Sequence, residues 1–281
     1  MTRIDAHHHV WDLTVRPQPW TDAFPALQRS FGLDDLRTEL DRAGVDGTVV
    51  VQTVDSFQET RELLGLAATS DRVRGVVGWF DLTAPDLPDR VAEARGAVGG
   101  SRLVGARHQL QVEPDPDWLA RGVVRRGLRT LAAHDLVFDV VVSPGMLPLV
   151  VDTVADLDDV LFVLDHAGKP PLASGDLDAW TRDVRRLAGL PNVAVKLSGL
   201  VTEADWDTWT PERLRPAFEV VLEAFGPDRT MTGSDWPVCL LAATYQEVTA
   251  AHDHLTSALS GSEQEAVHSG TATHWYALEE W

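Results

Sequence analysis

Short β-branched runs alternate with stretches of helical periodicity along almost the whole chain. The runs fall at 3–9, 47–53, 73–81, 104–111, 137–142, 161–166, 193–198 and 230–235. A run such as Gly-Thr-Val-Val-Val-Gln-Thr is apolar at most positions, which marks a strand buried on both faces. Between the runs, apolar residues recur at three- and four-residue spacing, predicting helices at 34–43, 56–69, 87–95, 118–133, 146–156, 176–188 and 211–225. Gly44 supplies a helix stop, and Ser56-Phe57-Gln58-Glu59 forms a capping box that opens the next helix. Two closing helical stretches, 244–259 and 263–277, have no strand between them. Residues 11–31, rich in Trp and Pro, are too polar and broken for a helix and read as a loop.

Strands alternating with helices imply parallel strands joined by right-handed crossovers. Eight such units in 281 residues predict an α/β fold, a (β/α)8 TIM barrel in which residues 1–281 form one domain. An open doubly wound sheet usually carries a Gly-rich phosphate turn after its first strand. Here that place holds His-His-His-Val-Trp.

Composition narrows the partners. With 24 basic against 43 acidic residues the formal charge is −19, which argues against nucleic acid or an anionic membrane, because both need a basic footprint. The single cysteine, Cys239, rules out an internal disulfide and fits a reducing cytoplasm. It reads as a small buried apolar group, since nothing nearby offers it a base. No signal-peptide pattern or bilayer-length apolar run is present, so a cytoplasmic location is expected. Monomer and homo-oligomer both remain open.

Barrel enzymes carry their chemistry at the C-terminal ends of the strands. Those ends hold His7 and His9, Gln52, Asp81, Arg107 and His108, Asp139, Asp165 and His166, Lys196 and Ser198, and Ser234 and Asp235. Buried His, Asp and Lys are costly unless paired or ligated, so packing alone does not account for this density. Simple alternation places Asp5, His7 and His9 on one face of the first strand and His8 on the other. Arg107 and His108 alternate as well, so one of them faces the pocket. Lys196 either bonds a substrate oxygen or pairs with a carboxylate inside the barrel. Asp139 either touches substrate or orients Lys196 or His166. His134, His252, His254, His268 and His274 lie on predicted helices and read as surface residues. Of ten tryptophans, Trp11, Trp20, Trp79, Trp206, Trp209 and Trp236 fall at strand ends or in the following loops, where an indole face can pack on a sugar ring.

Five stretches taken together resemble a known family. Asp5-Ala6-His7-His8-His9, Gly105-Ala106-Arg107-His108 with the run 111–119, Asp165-His166-Ala167-Gly168-Lys169-Pro170, Val195-Lys196-Leu197-Ser198-Gly199 and Gly233-Ser234-Asp235-Trp236-Pro237 resemble the amidohydrolase superfamily. They are nearest its sugar-lactonase branch, of the L-fuconolactonase and L-rhamnonolactonase type. The resemblance covers essentially the whole chain in the same order. It implies one divalent ion, zinc or manganese, held by His7, His9, His166 and Asp235. Asp235 would also be the base for the attacking water, and His166 would polarise the carbonyl or protonate the leaving group. The branch also allows a metal-free site, with the same histidines as hydrogen-bond donors. Two departures matter. No lysine ends the fourth strand, which argues against the carbamate-bridged binuclear site of other superfamily members, and Asp139 stands where decarboxylase relatives carry a histidine ligand.

The expected reaction is therefore opening of a neutral sugar lactone, an aldono-1,4-lactone, with Trp11, Gln52, Arg107, His108, Asp139, Lys196 and Trp236 as substrate contacts. Few basic residues (Arg16, Arg107, Lys169, Lys196) stand near strand ends, which favours a neutral substrate. A pyrone- or muconolactone-type dicarboxylate lactonase would need two pocket arginines, and a decarboxylase would need a carboxylate clamp. A purely binding barrel would have no use for the histidines and Asp235 together.

Overall fold

A computed structural model describes residues 2–279. One eight-stranded parallel sheet runs in the order β1 to β8 with each strand beside its sequence neighbour. The strands are β1 (Ile4–His8), β2 (Gly47–Val51), β3 (Val73–Gly78), β4 (Leu103–His108), β5 (Val137–Val140), β6 (Phe162–Leu164), β7 (Val193–Leu197) and β8 (Thr230–Thr232). The segment just after β8 closes the ring onto β1. Asp235 N–H donates to the His7 carbonyl at 2.8 Å, and His9 N–H to the Trp236 carbonyl at 2.6 Å. The fold is the (β/α)8 barrel the strand–helix alternation predicts.

Helices α1 (Leu33–Ala43), α2 (Phe57–Ala67), α3 (Leu87–Gly96), α4 (Gly122–Ala132), α5 (Leu147–Asp156), α6 (Asp178–Ala188), α7 (Leu200–Glu203), α8 (Pro211–Phe225) and α9 (Tyr245–Thr256) follow the strands. Ser56 caps α2 by accepting from Glu59 N–H, and Gly44 ends α1 in the left-handed region at φ 63°. The expected helix at 118–133 is interrupted: Trp118–Ala120 is a 3-10 turn, and α4 starts only after Arg121 adopts an extended conformation. The final helical stretch is α10 (Gly261–Glu265), one π-helical turn at Ala266–Gly270, and α11 (Thr271–Trp275). Residues 11–31 form the expected loop, pinned where Trp11 and Phe31 exchange backbone hydrogen bonds. No helix among the described residues is long and apolar enough to cross a membrane.

The first strand departs from simple alternation. Its pairing with β2 shifts between Asp5 and His8, so β1 spends an extra residue as a bulge. Ile4 and Ala6 pack with the interior residues Val49, Val77 and Met231, and His7 also turns inward. Asp5 is thereby placed on the outer side, where Ser234 Oγ–H (2.6 Å) and Tyr245 O–H (3.0 Å) donate to it. The expectation that Asp5, His7 and His9 share one face is thus corrected by the bulge. Two histidines expected at the surface are also buried: His252 is 8% exposed and His268 4%. Both lie where α9 and the π-helical turn pack on the barrel wall, a tertiary contact that helical spacing does not encode.

The barrel core is divided along its axis. At the N-terminal mouth, Ala272, Trp275, Tyr276 and Leu278 plug the opening and pack on Val104 and Ala194. Above this apolar layer the interior becomes ionic, with Asp139, Asp165 and Lys196 fully buried. The C-terminal mouth is the open end.

Candidate active site

The ionic layer supports the floor of that open end. Lys196 Nζ donates to Asp139 Oδ2 at 2.5 Å and lies 3.0 Å from Asp165 Oδ1 and 3.2 Å from His7 Nδ1. Tyr276 O–H donates to Asp139, 2.8 Å from each carboxylate oxygen. Asp165 in turn faces His7 Nδ1 at 3.2 Å and accepts from Arg107 Nη1 at 2.9 Å. Burial raises the Asp139 carboxyl to about 6, helped by neighbouring Asp165 and opposed by Lys196. Burial pushes Asp165 upward too, but Lys196, His7 and Arg107 together hold it well below the usual carboxylate range. Buried charges persist only when paired in this way.

Above that layer, four side chains converge. His7 Nε2 is 3.2 Å from His9 Nε2 and 3.7 Å from Asp235 Oδ1, and His9 Nε2 is 3.4 Å from the same oxygen. His9 Nδ1 is fixed by the Val51 carbonyl at 2.8 Å, and His166 Nδ1 by Ser198 Oγ at 3.0 Å. These contacts leave the other ring nitrogens directed at the floor. Burial keeps His7 neutral, well below its ordinary value, with Lys196 adding to that effect and Asp165 opposing it. Burial likewise lowers His166 to about 4, against the pull of Asp235 and Asp165. Burial alone would raise Asp235, but His166, His9 and His7 outweigh it and hold the carboxyl well below its usual range.

Backbone shape delivers two of the four. Strand β6 stops at Leu164 rather than running through His166, because His166 (φ 53°) and Ala167 (φ 51°) turn left-handed. Asp235 is left-handed too, at φ 57°. Such conformations are uncommon for residues with a Cβ and concentrate at functional sites. Two glycines make room. A Cβ on Gly199 would lie 2.6 Å from His166 Nδ1, and one on Gly233 would lie 2.7 Å from His7 Cβ.

The four residues meet at the floor of a cavity of about 550 Å3. His9, His166, Asp235 and Arg107 line it, and His7 lies just beneath. Other expected contacts stand elsewhere. Lys196 and Asp139 are sealed below the floor and neutralise each other, so the ion-pair alternative for Lys196 is the one that holds. Gln52 is fully buried and supports Arg107, whose Nη2 donates to Gln52 Oε1 at 3.3 Å. His108 turns out of the barrel and stacks on Trp118, 4.2 Å between ring centroids, with Nε2 3.0 Å from Glu113. Trp11 is buried with its indole N–H donated to the Arg29 carbonyl at 2.7 Å. Trp236 packs edge-on against Phe31, 5.5 Å between centroids. Both tryptophans brace the first loop rather than line the cavity. Trp20 and Trp206 do line it, with Phe24 tilted against Trp206.

Sequence reasoning missed Asp55, Gln109 and Glu203 on the cavity wall. Glu203 ends the four-residue helix α7 and pairs with Lys169 at 3.5 Å. An isolated acidic residue in so short an element carries no periodic signal.

The donor set suits a divalent cation. His7, His166 and Asp235 each offer a ligand atom, all within 4.8 Å of one another, and His9 stands beside them. Two imidazole nitrogens on one tetrahedral zinc stand ~3.3 Å apart for bonds of ~2.0–2.1 Å. The 3.2 Å between His7 and His9 matches that spacing.

The profile of the amidohydrolase family matches residues 4–278. The chain belongs to the amidohydrolase family. It is 42% identical to an L-fucono-1,5-lactonase of Burkholderia multivorans, over 99% of this chain and 97% of that protein. It is 37% identical to an L-fucono-1,5-lactonase of Burkholderia ambifaria, over 99% and 96% respectively. A crystal structure of an amidohydrolase from Burkholderia multivorans with bound zinc superposes with a TM-score of 0.94 at 42% identity, covering 99% of this amidohydrolase and 100% of that chain.

Proposed function

We propose that this amidohydrolase opens the ring of a neutral sugar-derived lactone by hydrolysis, releasing the aldonic acid. The observation that carries the reading is the convergence of His7, His166 and Asp235 on the cavity floor, within 4.8 Å of one another. The sequence alone suggested a 1,4-lactone. Both Burkholderia relatives are named for a 1,5-lactone, and at this identity we assign the six-membered ring as preferred.

Neutral substrate follows from charge. The two cations on the cavity wall are already committed, Arg107 to Asp165 at 2.9 Å and Lys169 to Glu203 at 3.5 Å. A dicarboxylate would bring two charges to cations whose own charge is already balanced by Asp165 and Glu203, while sugar hydroxyls can bond to paired side chains. The aromatic faces of Trp20 and Trp206 suit the C–H face of a sugar ring, because their indole N–H groups are donated to Gln18 and to the Thr202 carbonyl.

Asp235, ionised at neutral pH, accepts a proton from the attacking water. Its low proton affinity makes it a poor resting place, so the proton passes on to the ring oxygen as that bond breaks. The oxyanion that forms at the lactone carbonyl is met by Arg107, held in place by Asp165 and Gln52. A divalent ion, zinc by likeness to the zinc-bound relative, would be held by His7, His166 and Asp235 with His9 beside it, and would supply Lewis-acid polarisation of the ester carbonyl.

The test is proton release, followed with a pH indicator, across a panel of neutral aldono-1,5- and 1,4-lactones. Wild type and Asp235→Asn are compared with zinc supplied. The expected result is turnover of one or two 1,5-lactones that the variant does not open. Silence of the folded, zinc-supplied wild type across the panel would overturn the proposal.

A further inference from the structure

The acid that would complete the capping box of α2 is used elsewhere. The Ser56 N–H, which Glu59 would take in such a box, goes instead to the Val54 carbonyl at 2.8 Å. The Glu59 carboxylate accepts from the backbone N–H groups of Thr53 (2.9 Å) and Val54 (3.1 Å) and from the Thr53 hydroxyl. From there a single file of hydrogen bonds leads to the cavity wall. Gln18 Nε2 donates to Thr53 Oγ at 2.8 Å, and the Trp20 indole N–H donates to Gln18 Oε1 at 2.8 Å. We propose that Glu59 is a positioning residue for substrate binding, a role that rests on the reading of Trp20 as a platform for a sugar ring. Through Thr53 and Gln18 it fixes where that indole stands on the wall.

Every proton in the file points the same way, and the indole decides the direction. An indole N–H only donates, so it claims the Gln18 oxygen and turns the amide NH2 toward Thr53. The Thr53 hydroxyl accepts there and gives its own proton to Glu59. The far end of the file must therefore be an acceptor, and the carboxylate supplies it. Gln18 and Glu59 also line a second cavity of about 330 Å3, so hydrogen bonds rather than close packing hold this corner of the loop. Glutamine at position 59 would reverse the far end. Its carbonyl has to take the two backbone N–H groups, which turns its NH2 toward Thr53 Oγ and leaves the file one acceptor short. Gln18, Thr53 and Glu59 are 3–4% exposed, whereas Trp20 is 36% exposed. Water reaches Trp20 most readily, so the deficit settles at the indole N–H and the ring loses its anchor.

The experiment compares wild type, Glu59→Gln, and Glu59→Gln combined with Gln18→Glu. In the double variant the carboxylate at position 18 accepts from both Trp20 and Thr53, and the amide at position 59 donates to Thr53. Every proton again has an acceptor, and the net charge is unchanged. The 15N–1H signal of the Trp20 indole, assigned by its loss in Trp20→Phe, should move in Glu59→Gln to the range of water-exposed indoles. It should return in the double variant. On an accepted lactone, Glu59→Gln should raise KM ~10-fold, the effect of losing about one hydrogen bond, with kcat within ~2-fold of wild type. The double variant should bring KM back to within ~3-fold of wild type, and in a Trp20→Phe background Glu59→Gln should change KM by less than ~2-fold. An unmoved Trp20 signal in Glu59→Gln would overturn the proposal. So would an equal KM rise in the Trp20→Phe background, or a double variant no better than the single one. If Glu59→Gln alone does not fold, a folded double variant with the wild-type indole signal supports the relay, and one with a displaced signal overturns it. Only the KM arms rest on the lactonase reading. If the indole signal moves and returns while no lactone is opened, the hydrolysis reading fails and the positioning of Trp20 by Glu59 stands.

Discussion

Substituting Gly199 by alanine adds a single methyl group, and the structure says where it goes. The new Cβ would stand 2.6 Å from His166 Nδ1 and 3.0 Å from Asp235 Oδ2. Tight but tolerable contacts begin near 3.4 Å, so the imidazole must retreat by about 0.8 Å, the difference between 3.4 and 2.6 Å. Gly199 also has φ 64°, where a residue with a Cβ costs ~1–2 kcal/mol. Retreat of the ring breaks its 3.0 Å bond to Ser198, worth ~1 kcal/mol. The variant should therefore lose ~2–3 kcal/mol and melt ~5–10 °C lower, yet remain folded at 25 °C. A misplacement approaching 1 Å costs ~100-fold in rate, so kcat/KM should fall by about that factor. Differential scanning fluorimetry and lactone hydrolysis at 25 °C, on the same preparation, give both numbers. A folded Gly199→Ala protein within threefold of wild-type kcat/KM would refute the idea that the His166 ring must sit where the structure holds it.

Three further outcomes follow from the same geometry. Lys196→Met leaves Asp139 and Asp165 facing each other in a dry interior and should cost ~3–5 kcal/mol by urea denaturation, with Asp139→Asn in the same chain restoring part of the loss. Burial pushes the His252 imidazole down from an ordinary 6.5 to about 3, with His268 and Arg3 adding to the effect. Below pH 6.5 the unfolded chain therefore binds a proton that the folded chain refuses, and stability falls as pH drops from 6.5 toward 3. At pH 5 that amounts to about 2 kcal/mol, and His252→Gln should lose correspondingly less between pH 7 and pH 5 in guanidinium titrations. Glu203→Gln removes the partner of Lys169 on the cavity wall, so inhibition by small dicarboxylates should strengthen; equal inhibition constants for wild type and variant would count against the charge argument for a neutral substrate.

Much of this was legible from the chain because barrel architecture and site chemistry share one period. The eight β-branched runs, each followed by a helix or a long loop, leave few topologies open. Parallel strands also put their C-terminal residues at one mouth, so His7, His9, Arg107, Lys196 and Asp235 could be picked from strand ends alone. Where local rules misled, a tertiary contact had overridden them. The bulge in β1 sends Asp5 outward to Ser234 and Tyr245. The left-handed turn at His166 cuts β6 short. His252 and His268 are buried by helices whose spacing reads as exposed.

The order of the strands, the barrel and the identities of its polar strand ends were determined by the sequence itself, because hydrophobic period and residue chemistry are local properties. What only the folded molecule decided is which of those polar residues meet. Lys196 and Asp139 pair beneath the floor, while His108, Trp11 and Trp236 face away from the cavity. Glu203 joins its wall from a four-residue helix and Asp55 from a loop, both too short to show periodicity, and a tyrosine five residues before the end of the chain reaches Asp139 through the barrel. Such meetings join residues as far apart as Asp5 and Tyr245, 240 positions along the chain. No local pattern encodes such pairs, and burial fixes them by leaving a charge inside the barrel stable only where its partner stands.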